Sequence, residues 1–439
     1  MRIYKDNSVD KHRPLRVLLI MEQCNPEWPS VPLLGFNIFR ELNQKVDVTL
    51  CTHGRNQTNL EKTNIKAKIL YFQESFWSRY YYRLISPIIN FRGGIWPLNH
   101  AMAYPIYAEF NRNVFFRLKD QVLENKYDVV HAMTPIIPRY PVRIIEVCKT
   151  TPFILGPVNG GLPFPNGFEE VARKEFSGLN ILRLLCHLIP GYKKTYQLAD
   201  RILSGSSYTL MMIKKMFDLS DDKIQLYFEN GLTESFFIDE KDIKKSNTPL
   251  ILLFVGRLVP FKGADMLIEA IANLNPDIKQ KVLLKIVGDG SERKNLEELV
   301  KQKNLSSKII FKGWVKNEKI SEVYKEADVF CYPSIREFGG AVVLEAMAAG
   351  LPCIVVNNGG IGEYVTESSG LKILPKSRTF IVQELVQAIT KLVEEPELRY
   401  SMGRGAFERA KQFKWSRKVD DLINIYEEVI SRKMMSQRP

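Results

Sequence analysis

Short apolar runs punctuate this chain, with amphipathic stretches of helical spacing between them. Arg16–Met21, Val46–Cys51, Tyr127–Ala132, Pro152–Leu155, Arg201–Ser204 and Leu226–Leu232 have the length and continuity of buried parallel strands. A helix is expected over Leu34–Leu42, with Gly35 opening it. Asp239–Thr248 is rich in Lys, Asp and Asn and nearly free of large apolar groups, which marks a domain boundary. Beyond it the alternation restarts. Strands are expected at Pro249–Val255, Val282–Val287, Lys308–Phe311, 327–332 and Pro352–Val356. Helices are expected at Gly263–Leu274, Arg293–Lys303, Lys319–Ala327 and 341–349, with two more, 396–413 and 415–432, closing the chain. Strand and helix alternating in this way predict an α/β protein of two doubly wound parallel-sheet domains. The spans are 1–240, 249–413 and a final helix 415–432, and 439 residues exceed what one core usually supports.

Composition narrows the setting. Apolar content of 45% is ordinary for a globular chain. The six cysteines (24, 51, 148, 186, 331, 353) show no C-x-x-C pair and mostly fall in apolar runs, so reduced core thiols and a cytoplasmic protein are expected. Val17–Met21 is too short for the apolar region of a signal peptide, and no run matches a membrane span. The net charge of +13 calls for an acidic partner, be it nucleotide, nucleic acid or anionic membrane. Segment 51–119 concentrates aromatics, among them Trp77, Tyr80, Tyr81, Tyr82, Phe91, Trp96, Tyr107 and Phe110, and residues 51–100 hold seven Lys/Arg against two Asp/Glu. Three readings stay open: a helical insert packing its aromatics inward, a face lying against lipid headgroups, or a stacking surface for single-stranded nucleic acid.

Two stretches carry chemistry. In 331–350 a buried strand feeds the turn Glu337-Phe338-Gly339-Gly340 and then a helix of strong formers ended by Gly350 and Pro352. Strand, glycine turn and helix start place amides and the positive end of a helix dipole at one point, which suits an anion. Glu337 and Glu345, eight positions apart, sit at different heights over that point and suit hydroxyl-rich groups. The implied ligand is a phosphate flanked by sugars. In 254–263, Gly256 and Arg257 follow a strand and Lys262 precedes a helix, so two cations flank one turn. Arginine clasps phosphate with two parallel bonds and lysine adds a point charge. Neither a dinucleotide-binding G-x-G-x-x-G nor a P-loop is present.

The E-x7-E spacing followed by A-M-A-x-G-x-P, together with G-R-x-x-x-x-K-G, resembles the donor site of family 4 glycosyltransferases, retaining enzymes of the GT-B fold with two Rossmann-like domains facing a cleft. The resemblance covers nearly the whole chain. It implies that Glu337 holds the transferred sugar, the amides of Phe338, Gly339 and Gly340 hold the diphosphate, Glu345 holds the ribose, and Arg257 and Lys262 balance the leaving group. Many members have E-G-F-G where this chain has E-F-G-G. Gly288 and Trp314 match loops that border the nucleotide base. In the first half, family members often show H-x-H at a strand end. Here His131 is the first of that pair and Met133 stands at the second, with Thr134 as a substitute hydroxyl. His131 is either a ligand-facing group or a histidine bonded to backbone. Gly35 stands where a glycine pair is common. The string G-P-x-N-G-G-L-P, with Asn159 and Gly160, resembles bacterial members and is assigned to the acceptor crevice.

The resemblance thus implies a cytoplasmic hexosyltransferase that needs no metal or other cofactor, in keeping with the absence of any D-x-D triplet. Its partners would be a nucleotide sugar and a saccharide or polyprenyl-linked acceptor for a cell-surface glycan. Contact with the anionic inner leaflet is included and nucleic acid is not expected. Two alternatives remain: a sugar-nucleotide epimerase or hydrolase of the same fold, and a non-catalytic basic binding protein.

Overall fold

Two sheets, each with all its strands parallel, organise the molecule. The computed structural model describes residues 13–89, 96–133, 136, 140–175, 187–243 and 249–437. The first sheet holds β1 (Arg16–Met21), β2 (Asp47–His53), β3 (Lys68–Phe72), β4 (Val129–Ala132), β5 (Phe153–Val158), β6 (Arg201–Ser204) and β7 (Ile224–Leu226), in the order 3-2-1-4-5-6-7. Its helices are α1 (Val31–Asn43), α2 (Gln57–Glu61), α3 (Phe76–Ile89), α4 (Trp96–Leu123), α5 (Glu169–Lys174), α6 (Tyr192–Leu198) and α7 (Ser207–Phe217). The second sheet holds β8 (Leu250–Val255), β9 (Val282–Val287), β10 (Ile309–Gly313), β11 (Val329–Tyr332), β12 (Cys353–Val356) and β13 (Gly370–Ile373), in the order 10-9-8-11-12-13. Around it lie α8 (Ala264–Asn273), α9 (Pro276–Gln280), α10 (Arg293–Gln302), α11 (Asn317–Glu326), α12 (Ala341–Ala348), α13 (Gly360–Tyr364), α14 (Arg378–Glu394) and α15 (Pro396–Lys411). The last helix, α16 (Trp415–Ser436), returns to the first sheet, where Val419, Leu422 and Tyr426 share a core with Ile38 and Phe39 of α1. Both orders reverse direction once, between β1 and β4 and between β8 and β11, and doubly wound sheets open ligand crevices at such points.

Two expectations need correction. The strand expected over 226–232 is β7, which ends at Leu226; residues 227–232 instead form the crossing to the second domain. Their apolar groups are buried by α16 and the second core rather than by a sheet. Leu232 lies beside the returning chain, donating from N–H to the Phe413 carbonyl at 2.8 Å and accepting from Trp415 N–H at 3.1 Å. Gly35 does not open α1 but lies inside it. A Cβ there would come within 2.8 Å of the Gln23 carbonyl, so the glycine lets the helix press on the loop after β1.

Segment 51–119 divides. On α4, Tyr107, Phe110, Val114 and Leu118 enter the first-domain core. On α3, Tyr82 and Ile85 face inward, the Tyr82 ring lying 3.5 Å under the Arg55 guanidinium. Its other face leaves Phe76 and Trp77 about three-quarters exposed (73% and 75%), with Tyr80 and Leu84 beside them. Phe91 lies outside the described residues. No helix among the described residues is long and apolar enough to cross a membrane. Five cysteines, 24, 51, 148, 331 and 353, are free and buried.

Candidate active site at the second switch point

Glycines shape the crevice beyond β8 and β11. Gly288 has φ +130°, and a Cβ on it would overlap the Gly256 carbonyl, so these two strand ends lie backbone to backbone. Gly263 (φ +73°) bends the chain between the short turn Pro260–Lys262 and α8. Gly340 (φ +64°) is the N-cap of α12, where a Cβ would strike Ile361. The first amides of a helix have no partner within it, and α12 has no acidic residue in its first turn. The Gly340 cap and the first turn of α12 therefore have backbone N–H groups to offer an anion.

Around that turn the structure joins residues distant in sequence. Lys262 is buried (7% exposed), and its ammonium is paired with the Glu337 carboxylate. The Tyr332 hydroxyl binds both, at 2.6 Å from Lys262 Nζ and 3.0 Å from Glu337 Oε2. Burial drives the Tyr332 phenol well above its ordinary range, Glu337 and Glu345 add to the rise, and Arg257 opposes it. One phenol thus senses all of the charged groups singled out in the sequence. Arg257 is exposed at the end of β8. Glu345, on α12, accepts from the Tyr324 hydroxyl at 2.8 Å, and burial pushes its carboxyl up to about 7. Trp314 stands exposed after β10. No cluster of three or more metal-ligating side chains occurs among the described residues.

Besides Glu175, whose carboxyl is drawn on by Arg257, Arg336 and Lys262, the first domain reaches this cluster through backbone and neutral side chains. Asn159 is buried and donates to the Phe338 carbonyl at 3.1 Å, while its Oδ1 accepts from Ser206 and Thr209 hydroxyls at 3.0 and 2.9 Å. Gly160 N–H donates to Thr209 Oγ1 at 3.0 Å. His131 is a correction. It is fully buried, with Nε2 2.6 Å from the Gly156 carbonyl and Nδ1 2.6 Å from the Tyr426 hydroxyl. A carbonyl only accepts, so the proton sits on Nε2 and Nδ1 accepts from tyrosine. Burial lowers its pKa to about 4, which leaves it neutral and fully engaged, with no nitrogen for a substrate. Gly35 is packed against backbone, and Thr134 lies outside the described residues.

Three residues were missed. Tyr332 read only as the end of a strand. Arg336, next to Glu337, lies between the rings of Phe164 (4.7 Å) and Phe338 (5.1 Å) and donates from Nε to the Leu162 carbonyl at 2.8 Å. Glu229, in the crossing, lies against Gly339. Its signal was a lone carboxylate within the apolar string L-Y-F-E-N-G-L.

Two parallel-sheet domains meeting at a crevice lined by cations, carboxylates and a helix start define the class: the GT-B fold of glycosyltransferase structures. Anabaena Alr3699/HepE in complex with UDP superposes with a TM-score of 0.61 at 16% identity, over 94% of this chain and 100% of that one. The lipopolysaccharide outer core galactosyltransferase WaaB gives 0.62 at 15% identity, over 94% and 100%. At such identities the likeness is one of fold. In sequence, residues 236–409 match the family model described as Glycosyl transferases group 1. The D-inositol 3-phosphate glycosyltransferase of Stackebrandtia nassauensis is 32% identical over 264 residues, 57% of this chain and 59% of that protein. The chain spans about three fifths of the length of the first curated relatives it matches.

Proposed function

We propose that this protein is a retaining glycosyltransferase of the family 4 type, moving a hexosyl group from a nucleotide-diphosphate sugar to a hydroxyl of a saccharide or lipid-linked saccharide. The observation that carries the reading is the Lys262–Tyr332–Glu337 cluster set beside the start of α12, with Arg257 and Glu345 in the same electrostatic neighbourhood. Chain-amide donors and two cations fit a diphosphate; carboxylates on either side fit sugar and ribose hydroxyls. Lys262 is paired with Glu337. A bound diphosphate offers the lysine a second anionic partner and leaves Glu337 free to accept from the sugar. As the bond from C1 to the phosphate oxygen breaks, charge grows on that oxygen, and Arg257 and Lys262 offset it, each contact being worth a few kcal/mol at low dielectric (about 3). The acceptor oxygen attacks C1 on the same face and passes its proton to the departing phosphate. No side-chain base is required, and no metal is assigned a role. The UDP complex of the similarly folded HepE supports a nucleotide partner.

The acceptor is taken to be polyprenyl-linked and the glycan a surface polysaccharide, made at the cytoplasmic face of a membrane. The support is the outer face of α3, where Phe76, Trp77, Tyr80 and Leu84 lie exposed beside Arg79 and Arg83. The deciding experiment incubates the protein with UDP-, GDP- and ADP-sugars and a polyprenyl-diphosphate saccharide, then assigns the product's anomeric configuration by NMR. A product that keeps the donor's configuration is expected. Inverted product removes the retaining mechanism; donor converted equally well without acceptor favours an epimerase or hydrolase.

A further inference from the structure

Glu229 belongs to the segment that crosses between the domains, and its carboxyl lies where a side chain on Gly339 would be. Gly339 is the middle of the turn to which the donor reading assigns the diphosphate, so this carboxyl touches that site from the side of the crossing. Its Oε2 is closed off from solvent and has no hydrogen-bond partner among the described residues. An ionised oxygen held that way loses its water without compensation. The charged and titratable groups around it are few. Glu337 lies across the turn, and Lys418 of α16 and Tyr364 of α13 pack against the crossing. Lys418 is itself buried, donates to the Phe228 carbonyl and lies 4.0 Å over the Tyr227 ring, with Asp421 as its other acidic neighbour.

We infer that Glu229 is a further positioning residue of the donor site, one that holds a proton when the diphosphate is bound and braces the Phe338–Gly340 turn as a neutral acid. Donor binding then takes up one proton. The inference rests on the donor reading above. Burial already lifts the Glu229 carboxyl to about 7, Asn159 and Lys418 pulling it down and Glu337 adding to the rise. A diphosphate across the turn adds like charge and lifts it further, so affinity is greatest below pH 7 and falls as pH rises through it.

The test is calorimetric titration with UDP-glucose and GDP-mannose between pH 6 and 9, in buffers of different ionisation enthalpy. The sugar esters are used because a free terminal phosphate itself titrates near pH 6 (about). Wild type should take up close to one proton above pH 7 and lose about tenfold in affinity per pH unit there. Glu229→Gln, neutral at every pH and able to donate, should bind with no such slope and outdo wild type at pH 8.5. A slope that persists in Glu229→Gln assigns the titration to Glu345 or Lys418, which burial also brings to about 7, and overturns the inference. So does wild-type binding without proton uptake, a measurement that needs no variant. If neither sugar nucleotide nor any other binds wild type at any pH, the donor reading fails first.

Discussion

At the first switch point His131 stands one residue before the end of β4, its two ring nitrogens spent on Gly156 and on Tyr426 of the returning helix. At the second, β11 ends in Tyr332, whose hydroxyl sits between an ammonium and a carboxylate. The two crevices share a topology, yet the first is closed by the protein's own groups while the second gathers charges that an incoming anion can rearrange. The difference traces to α16, which supplies the first sheet with a covering face and with the phenol that fixes His131. The first domain then meets the donor turn through Asn159, backbone and the buried Glu229 carboxyl of the crossing, with no cation of its own on the turn among the described residues.

Removing the mobile charges should give the largest effect. Lys262→Ala and Glu337→Ala are each expected to lower turnover at least a hundredfold, about 2.7 kcal/mol of barrier, with circular dichroism unchanged. Near-normal transfer by both would erase the distinction between the crevices. Tyr332→Phe keeps the ring and loses the hydroxyl joining the pair. A roughly tenfold drop in kcat with little change in donor KM is expected, since the phenol orders the cluster rather than binding the leaving group.

His131→Ala probes the closed crevice and should leave turnover per folded molecule within about threefold of wild type. Its cost is stability. It strips partners from a buried carbonyl and a buried phenol, on the order of 2–4 kcal/mol in urea unfolding. The pH response has a definite sign. The folded protein keeps His131 neutral down to about pH 4, against an ordinary value of 6.5. Its contribution is therefore intact above pH 6.5 and lost as pH falls through 4, a loss that His131→Ala should not share. A normal melt with a hundredfold slower turnover would return His131 to the chemistry.

The same contrast explains what could be read beforehand. In the second domain the strands at 282–287 and 329–332 and the helices at 293–302 and 341–348 stand out because each is one largely apolar run or one helical period. Glu337, Glu345, Arg257 and Lys262 could be grouped as one candidate site because strand, turn and helix place them within short local stretches. The first domain offered less. His131 stands near the end of a strand just as a ligand-facing histidine would, and only the distant Tyr426 closes its second nitrogen. The hidden terms are all long-range: Asn159 to Phe338, Glu229 to Gly339, Lys418 to Phe228. The short strand β3 and the division of segment 51–119 were also missed, because aromatic content alone does not say which face of a helix meets a core.

That division supplies the comparison with the smallest effect on chemistry. The inner face of α3 is anchored by Tyr81, whose hydroxyl donates to the Met102 carbonyl at 2.9 Å, and by Tyr82 under Arg55. The outer face spends no such bonds on the domain. Phe76, Trp77, Tyr80 and Leu84 fall within one helical surface, and Arg79 and Arg83 share it. Buried aromatics and exposed aromatics thus occur on adjoining helices, and the exposed set of α3 shares its helical surface with two arginines. Replacing Phe76 and Trp77 together by Ser should leave transfer to a water-soluble acceptor unchanged, because neither side chain packs into the core. Affinity for vesicles of one-third phosphatidylglycerol, read by sedimentation, should fall about a hundredfold or more, two bulky apolar groups contributing on the order of 1.5–3 kcal/mol each when fully buried in the interface. Arg79→Gln with Arg83→Gln should weaken the same binding by less, about 1 kcal/mol per charge, and remove most of its salt dependence. If the Ser variant still sediments fully, α3 is an ordinary surface helix, and the acceptor reaches the crevice without help from a bilayer.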